Sequence, residues 1–143
     1  MEALWAALYA RLNAPLDLWR GKAPPEYKGS PSGSPYVIGS LALSTPADDG
    51  GYMRIATLTL DGYAYGDETN LAALVEAMED AHELIVTWRM QDTSNAGATS
   101  DWTLEDMQPV SDDDLADYRY RAVYTATYVS VRLCAAYNDP TIS

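Results

Sequence analysis

The chain has 143 residues, 48% hydrophobic and 21% charged, which places it in the globular class with enough length for one hydrophobic core. Its formal net charge is −12, so it lacks the clustered Lys and Arg that grip phosphate backbones, and ordinary nucleic-acid binding is not expected. The single cysteine, Cys134, has no second cysteine to pair with and is read as a small buried hydrophobe.

The N-terminal segment MEALWAALYARL has no basic lead and no apolar run long enough to span a bilayer, so a soluble, cytosolic chain is expected. Within it Leu4, Leu8 and Leu12 recur every four residues beside Trp5, which predicts a short amphipathic helix over 2–12 that Pro15 stops. Residues 13–35 hold five of the eight prolines and end in KGSPSGSP, an extended loop by composition. Loops of that length inside a compact domain are uncommon and tend to carry function.

PYVIGSLAL (35–43) predicts a first strand, with Pro35 at its start where a missing N–H is tolerated. After the loop STPADDGG, YMRIATLTLDGYAY (52–65) returns as a second strand in an antiparallel hairpin. Asp67 or Thr69 then caps a helix running to about Glu83, with Leu71, Leu74, Val75 and Met78 as its apolar stripe and Glu76, Glu79, Asp80 and Glu83 toward water. LIVTWRM (84–90) alternates in period two and predicts a strand, and WTLEDMQPV (102–110) is a second candidate for the same role. Residues 91–117 form an acidic loop region with eight carboxylates and no basic side chain.

DYRYRAVYTATYVSVRL (117–133) carries the strongest strand signal in the chain. Tyr118, Tyr120, Tyr124 and Tyr128 share one face with alanines, while Arg119, Arg121, Val123, Thr125, Thr127 and Val129 share the other. At about 3.3 Å per residue it spans about 50 Å, far beyond an ordinary strand, so something has to cover it. A loose tail, 134–143, follows. The order of elements predicts one domain over residues 1–143, an α+β fold with a mainly antiparallel sheet of four to five strands and two helices packed on one face.

The residues offer little chemistry. His82 stands three residues from Glu79, a pair on one helix face, but one His and one Glu do not make a metal site, and a solvated or partly buried histidine is the plainer reading. SDDDLAD (111–117) lacks the ligand spacing that wraps calcium and reads as a solvated charge run. No nucleophile elbow or phosphate loop occurs, so neither an enzyme nor a cofactor is expected.

Taken in order, EALWAALYARL, the Pro-rich loop closing on SPYVIGS, RIATLTLDGYAYG, GDETNLAALVEAMEDAHEL and the Tyr-rich strand resemble the tail terminator (tail completion) proteins of long-tailed bacteriophages over residues 1–133. The resemblance implies a virion structural protein, assembled as a hexameric ring on the last ring of tail-tube subunits. Such a ring stops tube growth and meets the head–tail connector, with DNA crossing its lumen and no membrane involved. It carries no catalytic residues over. The 91–117 stretch is longer than the family pattern, which leaves the third strand at either 84–90 or 102–110.

On this reading Tyr118, Tyr120, Tyr124 and Tyr128 are candidates for a subunit interface, since strand edges and tyrosine faces are used up when a ring closes. The alternative is that the strand bends at a bulge and its tyrosines pack under the chain's own helices. Lys22, Lys28, Asp48 and Asp49 mark candidate partner-facing loops. Asp112, Asp113, Asp114 and Asp117 form a candidate acidic surface, which either keeps DNA from adhering or simply keeps the chain soluble. Competing functional readings are another head-to-tail joining subunit (a stopper or neck protein), an acidic binding module that forms no ring, and a small hydrolase using His82.

Overall fold

The computed structural model describes residues 2–21, 35–44, 53–66, 68–91, 97–110 and 118–129. Helix α1 (Glu2–Leu12) follows the four-residue leucine repeat and buries Leu4, Trp5, Leu8 and Leu12. Arg20 closes its first turn with two hydrogen bonds to the Glu2 carboxylate, both 2.8 Å, and stacks 5.1 Å from the Trp5 ring. Helix α2 (Glu68–Val86) buries Leu74, Met78, Ala81 and Ile85, a single line at spacings of four and three.

That line explains why 84–90 is not a strand. Ile85 continues the helical stripe, so α2 runs on to Val86 and the period-two pattern of LIVTWRM is a coincidence of short range. The last turn of α2 has no basic residue of its own. Arg11 of α1 supplies one instead, donating Nε–H to the Leu84 carbonyl at 2.6 Å with its guanidinium 5.9 Å from the Trp88 ring.

The strands are β1 (Leu18–Arg20), β2 (Tyr36–Leu43), β3 (Met53–Ala64), β4 (Ala98–Thr99), β5 (Thr103–Pro109) and β6 (Tyr118–Val129). They form one sheet in the order β1-β2-β3-β6-β4, with β5 also on β6, beyond the end of β4. All pairings are antiparallel except β1 with β2. The third strand of the sequence reading is therefore the 102–110 candidate. The α+β class stands, with six strands in place of four to five, because β1 and β4 are three and two residues long and leave no periodic signal. β1 lies inside the segment 13–35 that composition alone assigned to loop.

The sheet also settles what flanks the long strand. β3 and β6, twelve residues each, pair from Met53↔Val129 to Ala64↔Tyr118 without a break. On its other edge β6 pairs with β4 at Tyr128 and Val129, then with β5 from Thr125 to Tyr120, with a register shift between Leu104 and Asp106. Both edges of β6 are used by this chain, so no second copy is needed to complete its ladder.

Both helices lie on one face of the sheet, and two glycines let them approach. A Cβ on Gly39 would meet the Trp5 ring at 2.9 Å, and one on Gly62 would meet Leu74 Cδ1 at 2.6 Å. Between the helices and the sheet sits the core: Ala56, Leu58 and Leu60 of β3, and Ala122, Tyr124, Ala126 and Tyr128 of β6. Trp102, just before β5, is buried in the same cluster. Thr99 secures the approach to it. Its Oγ1 accepts from the Met90 amide at 2.8 Å, while its own amide donates to the Met90 carbonyl at 3.0 Å.

Candidate assembly surface

The tyrosine row of β6 divides into two parts. Tyr124 is fully buried, its hydroxyl 3.0 Å from His82 Nδ1, and Tyr128 is 6% exposed. The expectation that these two meet a neighbouring subunit is thereby corrected. Tyr124 packs against His82 of α2 and Tyr128 against Gly97, both within the core of their own chain, in line with the alternative stated above. Burial pushes the Tyr124 hydroxyl well above the ordinary phenol range. His82 thus links helix to sheet. No group of three or more His, Cys, Asp or Glu gathers into a metal-sized cluster among the described residues.

Tyr118 and Tyr120, half-buried, reach the surface at the other end of the strand. There they face α2 across a cleft. One cavity of about 530 Å³ has Leu71, Val75 and Tyr118 in its lining, and an adjoining one of about 230 Å³ shares those three and adds Pro109, Val110, Arg119 and Tyr120. Leu71 and Val75 belong to the apolar stripe expected from the sequence. They lie one step around α2 from its buried line, and only half-bury because the sheet ends beneath them.

The opposite face of the sheet carries no described helix and is of two kinds. At one end two rows of residues line up across the strands. Tyr36, Tyr63 and Arg119 are aligned by the β2–β3–β6 register. The Tyr36 and Tyr63 rings stack at 5.1 Å, and the Arg119 guanidinium sits 4.8 Å above Tyr63 while donating to its hydroxyl at 3.2 Å. Tyr65 joins through a 3.1 Å hydroxyl contact with Tyr36. Burial, then that contact, raises the Tyr36 hydroxyl far above its ordinary value; burial also raises Tyr63, with Arg119 opposing.

In the next row Arg121 donates Nε–H to Asp61 at 2.6 Å, and the buried Arg119 lies 3.7 Å from the same carboxylate. The hydrogen bond to Asp61 raises Arg121 above its ordinary value. Alternation places Arg119 and Arg121 on one strand face, and the pairing of β6 with β3 joins them to Tyr63 and Asp61. The usable signal was the alternation Asp61–Tyr63 in the neighbouring strand, which antiparallel pairing brings into register.

Above these rows the open face is uncharged. Ala42, Ile55, Thr57, Thr59, Val123 and Thr125 occupy it, with Ile55 47% and Met53 43% exposed. Its β5 border is acidic, where Glu105 accepts from the Thr125 hydroxyl at 2.7 Å. In a chain of net charge −12 this uncharged, largely β-branched area is where a like-charged body can approach at least electrostatic cost.

The remaining candidates, Lys22, Lys28, Asp48, Asp49, Asp112, Asp113, Asp114 and Asp117, lie outside the described residues, as does Cys134. No helix among the described residues is long and apolar enough to cross a membrane.

No protein-family model matches the chain, and no curated protein sequence matches it. Among solved structures, the chain is similar to one from "Virion of native gene transfer agent (GTA) particle". The TM-score is 0.57 at 16% identity, over 90% of this chain and 90% of that one. At such identity the likeness is one of fold, extending along nearly the whole length of both chains.

Proposed function

We propose that this chain is a structural protein of a phage-like virion, and within that class a tail terminator: a ring, hexameric by the family pattern, that caps the tail tube and joins it to the head–tail connector. The observation that carries the proposal is the fold shared along nine tenths of both chains with a chain of the gene transfer agent virion. The order of sequence elements points the same way. The molecule also suits the role, offering a sheet whose two longest strands are paired with each other along their full length and an open face with an uncharged area.

On this reading subunits meet through the open sheet face around Ile55, Thr57 and Thr125, not through Tyr124 and Tyr128. Charge sets the choice: twelve net negative charges per copy oppose association everywhere except where the surface is neutral. Acidic side chains elsewhere would keep passing DNA from adhering to the ring.

The test is the mass of the purified protein by native mass spectrometry at low and high salt, alone and with the cognate tail-tube protein. A species of about six 15.6 kDa chains is expected, on its own or once tube is present, and Ile55→Asp should abolish it. Capped tubes of uniform length would separate a terminator from a stopper or neck subunit, which should bind the connector and leave tube length unchanged. A chain that stays monomeric with both partners would overturn the ring.

A further inference from the structure

We infer that the cleft between α2 and the start of β6 is a docking groove for a basic amphipathic helix of a partner protein. Its floor is apolar: Leu71 and Val75, one turn apart on α2, face Tyr118, and Tyr120 extends the floor beneath β5. Its outer wall is acidic, with Glu68, Glu76 and Glu79 lining the same cavity. None of these three carboxylates has an ion-pair partner among the described residues. Half-exposed apolar side chains bordered by unmatched charge of one sign call for an occupant that is apolar along one stripe and cationic on its flanks.

The dimensions and the charge narrow the occupant further. Glu68 and Glu79 are eleven residues apart on one helix, about 17 Å along the axis at 1.5 Å per residue, which matches about three turns of a second helix laid alongside. A second copy of this chain is a poor fit, because four of its six described arginines are already committed. Arg20 binds Glu2, Arg11 caps α2, and Arg119 and Arg121 hold Asp61. Like-charged copies of net charge −12 would also repel across an acidic wall. The groove belongs to a single chain, so the inference stands or falls separately from ring formation.

The experiment is a two-dimensional amide NMR titration of the full chain with a synthetic Leu/Lys peptide of about twelve residues, its leucines at i, i+3, i+4 and i+7. A peptide of identical composition but alternating order is the control. Saturable shifts confined to residues 68–79 and 118–120 are expected, with affinity falling steeply as salt rises. The variant Leu71→Ser/Val75→Ser, and separately the exposed-charge variant Glu76→Lys/Glu79→Lys, should each weaken binding about tenfold or more. The second keeps the apolar contacts and so guards against a variant that fails to fold. Equal binding of the alternating peptide, shifts centred elsewhere, or indifference to both variants would overturn the inference. So would self-association of the free chain that Leu71→Ser/Val75→Ser abolishes, since the occupant would then be a second copy.

Discussion

The two faces of β3 and β6 differ more than any two segments of the chain. On the helix side, Ala56, Leu58, Leu60, Ala122 and Tyr124 are at most 1% exposed and pack in one core with Leu74 and Met78 of α2, while His82 meets the Tyr124 hydroxyl. On the other side the neighbouring residues Thr57, Thr59, Val123 and Thr125 are half-exposed and similar in size. One face is shaped by what already fills it. On the other no described helix of this chain packs. The comparison teaches that a tyrosine-rich strand face is not by itself an interface, and that a plain threonine-rich one is the better candidate.

The sharpest test of that contrast compares adjacent residues. Leu58→Ala removes a fully buried side chain and should cost about 2–5 kcal/mol by urea denaturation, whereas Thr59→Ala on the open face should cost under about 0.5 kcal/mol. Similar losses would mean that the open face is covered within the chain. Next comes Gly62→Ala, whose Cβ would press on the buried Leu74 and should cost about 1–3 kcal/mol. Repeating it in a Leu74→Ala background should recover part of that cost, and strict additivity in this cycle would deny the contact.

Within the open face, Asp61→Asn sharpens the division between its ionic end and its neutral centre. It leaves the buried Arg119 and the half-exposed Arg121 facing a neutral amide, an expected loss of about 1–2 kcal/mol in the urea midpoint analysis. No loss would assign the row to the stacked tyrosines alone.

The smallest effect concerns Tyr124→Phe, which removes the hydroxyl beside His82 and should cost about 1 kcal/mol at neutral pH. It also has a pH signature. An unfolded tyrosine releases its proton around the ordinary value of 10.0, while the folded chain holds those of Tyr36 and Tyr124 to higher pH. The unfolded state then binds fewer protons, so the stability these groups contribute is complete below pH 10 and is lost as pH rises above it. Tyr124→Phe and Tyr36→Phe should each flatten that alkaline fall. A fall of unchanged steepness in both would show that their hydroxyls already ionise as freely as in the unfolded chain.

Much of this was legible from residue order. The spacing of Leu4, Leu8 and Leu12 places α1 to the residue, and the alternation from Tyr118 places β6, because each periodicity reports which side of a regular element meets the core. The end of α2 was misread at LIVTWRM because a run of seven residues fits both periods, and only the packing of Ile85 beside Ala81 and Met78 decides between them. The candidate site was less legible. Alternation separates the two faces of β6, yet it cannot tell which face this chain covers for itself.

The sequence by itself determined the two helices and the long strands with their amphipathic faces, and the acidic charge, since all of these are local or additive properties. The tertiary structure decided the rest: that β3 and β5 close the edges of β6, that α2 takes Tyr124 inside, and that Asp61 gathers both arginines. Those outcomes depend on strand register and on where a helix crosses the sheet, and contacts between residues sixty positions apart leave no period for a sequence to display.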